Sequence, residues 1–363
     1  MYKISFFMPS FSYGGVEKNF ITVANEMSNN NYLVNFVVCN YSGELFALLS
    51  KKINIVNLKC IRVRKSLFPL IRYIRKTPPD FLISGPDFPN FISILMKLII
   101  RPKTKVIVTQ HNFFDVECKK LGIHGKIQPL LIRLLYPQSD KIISVSNGIT
   151  EYLISHGINK KKIKKIYNPI DISFINYMAD CLPEPNIDNL PKDYILFIGR
   201  LSSVKNIELI IKSFDIIQEK LSEVKLLIIG DGEERKKLEY ICKNLQMCDR
   251  VIFLGALINP FYFLKRCRLL AISSLSESLS IVTIEALSLG KNVVSTPCSG
   301  PIEVLNNGEF GYISKEFNNE NEYASLLVLA LQKPLSNELL KRRSMDFDIS
   351  KIIAEYQNLF SDK

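Results

Sequence analysis

Short apolar runs alternate with longer amphipathic stretches along nearly the whole chain. In the first half the runs are Lys3–Met8, Leu33–Cys39, Ile53–Leu58, Phe81–Ser84, Lys105–Thr109, Lys141–Val145 and Ile163–Ile166. In the second half they are Tyr194–Ile198, Lys225–Ile229, Val251–Leu254, Leu269–Ile272, Asn292–Ser295 and Gly311–Ile313. Runs this short, and apolar at successive positions, predict strands buried on both faces. Between them Val16–Ser28, Ile207–Glu219, Glu233–Leu245 and Ile281–Leu289 carry apolar residues at helical spacing. Strand and helix in alternation predict the doubly wound α/β class, a parallel sheet covered on both sides. Two such series, in 363 residues, predict two Rossmann-like domains.

The pattern breaks over Asn168–Lys192, where Pro169, Pro183, Pro185 and Pro191 fall among few apolar runs. The inter-domain connection is expected there. The expected division is 1–170, 171–345, and a terminal helix in 346–363 that packs back on the first domain. Open parallel sheets bind ligands beyond the carboxyl ends of their strands. The chemistry is therefore expected where two sets of strand ends face each other across a cleft.

Charge is unevenly placed. The net charge is +12, yet residues 1–170 hold 25 basic and 9 acidic residues, against 22 and 26 in the remainder. Much of the excess lies in Lys59, Arg62, Arg64, Lys65, Arg72, Arg75 and Lys76. These alternate with Leu67, Phe68, Leu70, Ile71, Tyr73 and Ile74, so that Arg72 and Lys76 share a helical face opposite Leu67, Leu70, Ile71 and Ile74. Such a segment suits an anionic membrane surface, and equally an ordinary surface helix with a solvated basic face. No nucleic-acid-binding motif accompanies it. The longest apolar run, Phe91–Ile100, has ten residues with Lys97 inside it, against the ~20 a spanning helix needs. Met1–Pro9 has too short an apolar core for a signal peptide. A cytoplasmic protein is the expectation.

The eight cysteines, Cys118 among them, include no C-x-x-C pair, and read as reduced thiols. No His/Asp/Glu cluster predicts a metal site. Asp346-Phe347-Asp348, the one late D-x-D, reads as a helix cap. G-x-G-x-x-G and G-x-x-x-x-G-K-[ST] are both missing, which counts against a dinucleotide-binding dehydrogenase and a P-loop hydrolase.

Four places carry candidate chemistry. Gly14-Gly15 follows the first strand and opens the first helix, where backbone can approach an anion, although a tight turn uses the same pair. Arg200 and Lys205 flank the turn after the strand ending at Ile198, and two fixed cations there suit a diphosphate. Positive charge at that helix start opposes the helix dipole, so the arrangement calls for an anion. Glu277 sits in the loop after the strand ending at Ile272, and Glu285 lies eight residues on in an otherwise apolar helix. A helix starting near Ser280 would offer the free N–H groups of Ile281 and its neighbours to a phosphate, with Glu285 placed for ribose hydroxyls. His111 directly follows a strand, whereas His124 and His156 do not.

Together these motifs resemble the retaining glycosyltransferases of family 4, the glycosyl transferases group 1, which have the GT-B fold. The resemblance is densest from Tyr194 to Ile313, through Gly199-Arg200-Leu201, Lys205-Asn206, Gly230-Asp231-Gly232, Glu277, Glu285-Ala286, Gly308 and Gly311 in order. Val145-Ser146 and Tyr167-Asn168-Pro169-Ile170-Asp171 match the pattern that leads into the second domain. The resemblance implies that Arg200 and Lys205 bind a donor diphosphate and Glu285 its ribose. It sets Glu277 near the transferred sugar, Gly14, Gly15, Ser280 and Ile281 near the donor, and His111 beside sugar and acceptor. Where the family commonly has Glu-Gly-Phe-Gly or Glu-Gly-Phe-Ser, this chain has Glu277-Ser278-Leu279-Ser280. Ser278 adds a side chain beside the sugar pocket, which bears on donor identity.

The expected activity is transfer of a sugar, from a UDP-sugar rather than a GDP-sugar, to a glycan or lipid-linked acceptor in surface polysaccharide or lipopolysaccharide assembly. No cofactor or metal is expected, and the place of work is the inner face of the cell membrane. A sugar-nucleotide 2-epimerase shares the two-domain fold and is the alternative enzyme. A non-catalytic glycan- or nucleotide-binding protein is the other alternative, against which the intact Arg200, Lys205, Glu277 and Glu285 argue.

Overall fold

The computed structural model describes residues 1–12, 14–113, 123–183, 190–219 and 221–361, with backbone alone for 123–127. Cys118, Pro185 and the His124 side chain lie outside the described residues. The chain divides into two compact units, Met1–Pro169 with Ile349–Lys363, and Ile170–Asp348.

Among the described residues the first unit holds seven strands: β1 (Lys3–Met8), β2 (Leu33–Val38), β3 (Asn54–Asn57), β4 (Phe81–Ser84), β5 (Lys105–Gln110), β6 (Lys141–Ser144) and β7 (Ile163–Lys165). Their order is β3-β2-β1-β4-β5-β6-β7, and every pairing is parallel. The second unit holds β8 (Tyr194–Ile198), β9 (Lys225–Ile229), β10 (Val251–Gly255), β11 (Leu269–Ile272), β12 (Asn292–Ser295) and β13 (Tyr312–Ile313). Their order is β10-β9-β8-β11-β12-β13, again all parallel. The strand order reverses at β1/β4 in one sheet and at β8/β11 in the other, the places where such sheets open a crevice for ligands.

The uninterrupted apolar runs follow from burial on both faces. Along β1, Ile4, Phe6 and Met8 join one core cluster, while Ser5 and Phe7 point the other way and are equally buried. The helix Gly15–Asn29 covers the first of these faces with Phe20, Val23, Ala24 and Met27, an i, i+3, i+4, i+7 set. The C-terminal helix Ile349–Ser361 adds Ile352, Ile353, Tyr356, Leu359 and Phe360 to the same cluster. The Phe360 ring lies 4.5 Å from that of Phe81 and 6.1 Å from that of Tyr32.

The division falls close to the expected boundaries but differs from them in detail. Ile170 belongs to the second unit because its N–H donates to the Phe347 carbonyl at 2.9 Å. Residues 346–348 stay there too, and Asp346 pairs with Arg343 at 2.8 Å. The helix Ile172–Asp180, inside the stretch expected to link the units, is part of the second one; the Asp171 carboxylate caps it by accepting from the Phe174 N–H. All seven described cysteines are free, five of them buried. No helix among the described residues is long and apolar enough to cross a membrane.

Candidate active site

In the first unit, the chain leaves β1 and enters the helix Gly15–Asn29 through Gly14, its N-cap. A Cβ on Gly14 would collide with the Glu17 carboxylate, which folds back over the helix start. A Cβ on Gly15 would meet nothing within 4 Å. The Gly14 contact is with the far end of a flexible side chain, so it does not require glycine at 14, and Gly15 leaves open space in front of the helix. Burial pushes the Glu17 carboxyl above its ordinary pKa, partly offset by a hydrogen bond from its own backbone N–H.

His111 follows β5 and is buried, 5% exposed. Its Nε2 lies 3.0 Å from Thr109 Oγ1. That hydroxyl spends its proton on the Ser84 carbonyl at 2.9 Å. Thr109 can therefore only accept from the ring, which assigns the hydrogen to Nε2 and leaves Nδ1 as the acceptor nitrogen. Burial pushes the imidazole down to about 4, with a hydrogen bond to Asn168 opposing it. Asn168 is held in turn by Asn19, whose amide donates to Asn168 Oδ1 at 2.8 Å. The Phe20 ring packs edge-on at 6.0 Å. Behind the loop, Tyr136 donates to Gln110 Oε1 at 2.7 Å and Asn90 donates to both Tyr136 Oη and the Thr109 carbonyl. His111 is thus a rigid, neutral group at neutral pH.

In the second unit, the loops after β8, β9 and β11 interlock. Gly230, at φ +140°, lies so close to the Gly199 carbonyl that any Cβ would strike it. Leu201 N–H donates to the Asp231 carbonyl at 3.0 Å, and Leu275 N–H to the Val204 carbonyl at 2.8 Å. Lys205 Nζ then meets Glu277 Oε1 at 3.2 Å, with the two side chains 26% and 13% exposed. Ser274 donates to the other Glu277 oxygen at 3.0 Å. The Glu277 backbone carbonyl accepts from Gly300 N–H at 2.9 Å and from Ser299 Oγ at 3.1 Å. Residue 300 must be small, because a Cβ there would lie 2.8 Å from that carbonyl.

The loop ends at Ser280, the buried N-cap of the helix Ile281–Ser288. The Ser280 hydroxyl takes no helix N–H; instead it accepts from Thr283 Oγ1 at 2.7 Å. The first-turn N–H groups, including that of Ile281, are therefore uncapped by this side chain. Glu285 lies one turn further in and is partly buried between buried Ile284 and Ala286. Arg200 shares the loop with Lys205, but its exposed guanidinium turns to Glu233, 3.2 Å away in the loop after β9. Among the described residues, no three His, Cys, Asp or Glu side chains gather as a metal site.

Lys205 and Glu277 thus meet at the β8/β11 switch point, Ser280, Ile281 and Glu285 follow Glu277 along the same loop and helix, and Arg200 stays on the Lys205 loop but pairs with Glu233. Gly14, Gly15 and His111 belong to the first unit. Sequence reasoning passed over Ser274, Ser299, Gly300 and Glu233, which fix or pair these groups, and did not connect Asn168 with His111. Ser273-Ser274, directly after an apolar strand, was the available signal for the first of these.

Two family signatures match, Glycosyltransferase Family 4 over residues 13–174 and Glycosyl transferases group 1 over residues 182–345. A glycosyltransferase of Methanocaldococcus jannaschii is 31% identical over 339 residues, 82% of this chain and 83% of that protein. The N-acetylgalactosamine-N,N'-diacetylbacillosaminyl-diphospho-undecaprenol 4-alpha-N-acetylgalactosaminyltransferase of Campylobacter jejuni is 30% identical over 272 residues, 73% of this chain and 71% of that protein. In fold, the chain is similar to the Anabaena HepE structure solved in complex with UDP, with TM-score 0.79 and 18% identity over 99% of this chain and 100% of that one. The two parallel-sheet units have the GT-B architecture. The chain belongs to the family 4 glycosyltransferases, the glycosyl transferases group 1.

Proposed function

We propose that the chain transfers a hexosyl or N-acetylhexosaminyl group, with retention, from a UDP-sugar to a lipid-linked glycan during surface polysaccharide or lipopolysaccharide assembly. The work is done at the inner face of the cell membrane. The observation that carries this reading is the Lys205–Glu277 contact of 3.2 Å, pinned at the point where the second sheet reverses its strand order. A cation held there meets the charge that grows on a departing nucleoside diphosphate. Arg200, on the same loop, swings from Glu233 to the same oxygens.

The uncapped start of the helix Ile281–Ser288 receives a phosphate, and Glu285 accepts hydrogen bonds from the ribose hydroxyls. Glu277 accepts from hydroxyls of the sugar, sharing Lys205 with the diphosphate. Gly14 and Gly15 bring backbone N–H groups at the start of their helix to the donor phosphates. His111, held neutral, serves the sugar and acceptor as a hydrogen-bonding group that carries no charge. The acceptor oxygen bonds to the anomeric carbon on the face from which the diphosphate departs. The anomeric C–O bond to phosphate breaks, its electron pair stays on the phosphate oxygen, and that oxygen takes the acceptor proton. No metal is required, because Lys205 and Arg200 supply the positive charge.

UDP as the carrier is supported by the HepE complex, and a lipid-borne acceptor by the C. jejuni relative. The test is a panel of UDP- and GDP-sugars with a polyprenyl-diphosphate-linked glycan, products being read by NMR at the anomeric position. Acceptor-dependent release of UDP with an unchanged anomeric configuration is expected. Sugar inverted at C2 and formed without any acceptor identifies a 2-epimerase instead, and inversion at the anomeric carbon removes the retaining step.

A further inference from the structure

The last paired residues of β11 and β12 are Ile272 and Ser295. Beyond them, side chains of the loop after β12 hold the backbone of the loop after β11. Thr296 Oγ1 and Cys298 Sγ both donate to the Ser274 carbonyl, at 2.6 and 2.7 Å. Three residues on, the Glu277 carbonyl accepts from Ser299 Oγ and from the Gly300 N–H. The turn 274–277 is thus held at both ends from one neighbouring loop. Ser274, Thr296 and Cys298 are 1%, 0% and 3% exposed, so water does not compete for these bonds. Burial first, and the nearby Glu277 charge second, push the Cys298 thiol up to about 12, so it keeps the proton that it donates.

From this anchored backbone the Ser274 hydroxyl reaches Glu277 Oε2, 3.0 Å away. Lys205 Nζ holds Oε1, and Ser273 ties down the Lys205 carbonyl at 2.7 Å. The terminal torsion of a glutamate is broad when nothing grips it. Here each oxygen has its own partner on a different loop, so the carboxylate plane is set and the remaining lone pairs point in fixed directions. When the ammonium turns to a diphosphate, the Ser274 hydroxyl is what keeps that plane.

A fixed acceptor distinguishes hydroxyl configurations. A sugar hydroxyl that meets a lone pair is bound, while its epimer leaves both groups unpaired, which is costly in a buried site. A carboxylate free to rotate follows either epimer and tells them apart poorly. We infer that Thr296 and Cys298, acting through Ser274, set the orientation of Glu277 and thereby decide which of two epimeric donor sugars the protein takes. Both are positioning residues. This rests on the reading of Glu277 as the acceptor for sugar hydroxyls and names what gives that reading its selectivity.

The experiment compares UDP-N-acetylglucosamine with UDP-N-acetylgalactosamine, and UDP-glucose with UDP-galactose, pairs that differ only in the configuration at C-4. The ratio of kcat/KM within each pair is the readout, with calorimetric affinity for each UDP-sugar and for UDP alone beside it. The parent favours one epimer. In Ser274→Ala the favoured epimer loses roughly tenfold while the other changes little, so the ratio collapses. The Thr296→Val, Cys298→Ala double variant does the same. Thr296→Ser with Cys298→Ser keeps both donors and holds the parent ratio. UDP alone, which carries no sugar, binds every variant as it binds the parent. Loss shared equally by both epimers would mark general damage to the loop and overturns the proposal. So does a parent ratio in Ser274→Ala, or equal use of both epimers by the parent. Should the valine–alanine variant fail to fold, Ser274→Ala, which lacks a single oxygen, decides alone. Absence of transfer from every UDP-sugar would defeat the enzymatic reading, while the ratio of affinities would still test this one.

Discussion

Lys205 Nζ lies 3.2 Å from Glu277 Oε1, joining the loops that follow β8 and β11. Those strands are neighbours only because the order of the sheet reverses there. Seventy-two positions separate the two residues in sequence, so the pair is a product of topology. It is also asymmetric. Glu277 is pinned by Ser274, Ser299 and Gly300, whereas among the described residues the Lys205 ammonium pairs with the Glu277 carboxylate. The cation is the partner free to turn toward a diphosphate.

Lys205→Met should therefore lower donor use by roughly ten- to a hundredfold, the loss of a charge-assisted contact worth ~1.5–3 kcal/mol. Arg200→Met should cost less, because its side chain is 75% exposed and already solvated. Steady-state kinetics against UDP-sugar concentration measures both. Parent-like kcat/KM in the Lys205→Met, Arg200→Met double variant would remove the diphosphate assignment.

Glu277→Gln separates binding from turnover. With the carboxylate charge gone, Lys205 has no competing anion, so calorimetry should show UDP binding more tightly than to the parent. Turnover should fall roughly tenfold, since the neutral amide accepts sugar hydroxyls more weakly than a carboxylate. Weaker UDP binding together with unchanged kcat would contradict the proposed division of labour.

His111 gives the protein an acid-sensitive term of defined sign. Burial pushes its folded pKa down to about 4, below the ordinary imidazole value of 6.5. Between these values the unfolded chain holds the proton and the folded chain does not. Stability from this group is therefore undiminished above about pH 6.5 and falls as pH drops toward 4, by about 3 kcal/mol in all. Urea unfolding followed from about pH 7 to about pH 4 should show this slope in the parent and a flatter one in His111→Gln. Identical slopes would mean the imidazole is not the group that titrates.

Among the described residues all thirteen strands lie within one residue of the expected runs; the central ones are buried on both faces and so write themselves as apolar stretches, whereas β3, β7 and β13 are only partly buried. The helix Ile281–Ser288 and its cap were legible for a similar local reason. What long-range contact decides was not legible. The Ile170–Phe347 hydrogen bond, between residues far apart in sequence, sets where the second unit begins and ends. Asn168 reaches His111 from beyond β7, and Arg200 turns to Glu233 rather than standing beside Lys205. Phe68 reads as one more apolar residue of an amphipathic helix, yet it faces outward.

Chelation should leave transfer intact. In the proposed mechanism Lys205 and Arg200, on the loop after β8, supply the positive charge to the leaving group, so EDTA in the assay should change kcat little. Abolition by EDTA, with recovery on adding Mg²⁺ or Mn²⁺, would place the charge stabilisation on a bound ion instead.

The C-terminal helix provides the last test, because chain order and domain membership part company there. Phe360 is buried between Phe81 at the start of β4 and Tyr32 just before β2, and Tyr356 packs beside it. Truncating a buried aromatic side chain removes its transfer free energy and leaves a cavity, about 3–5 kcal/mol for Phe→Ala. Phe360→Ala should therefore destabilise the first unit, to which β1, β2 and β4 belong, although the mutation lies beyond the last residue of the second. Hydrogen exchange resolves the two. Amides of β1, β2 and β4 should lose protection in the variant, while those of β8, β9 and β11 keep parent rates and UDP binding through Lys205 persists. Loss of protection spread evenly over both sheets would show that the units unfold as one, and that Phe360 supports more than the core in which it is buried.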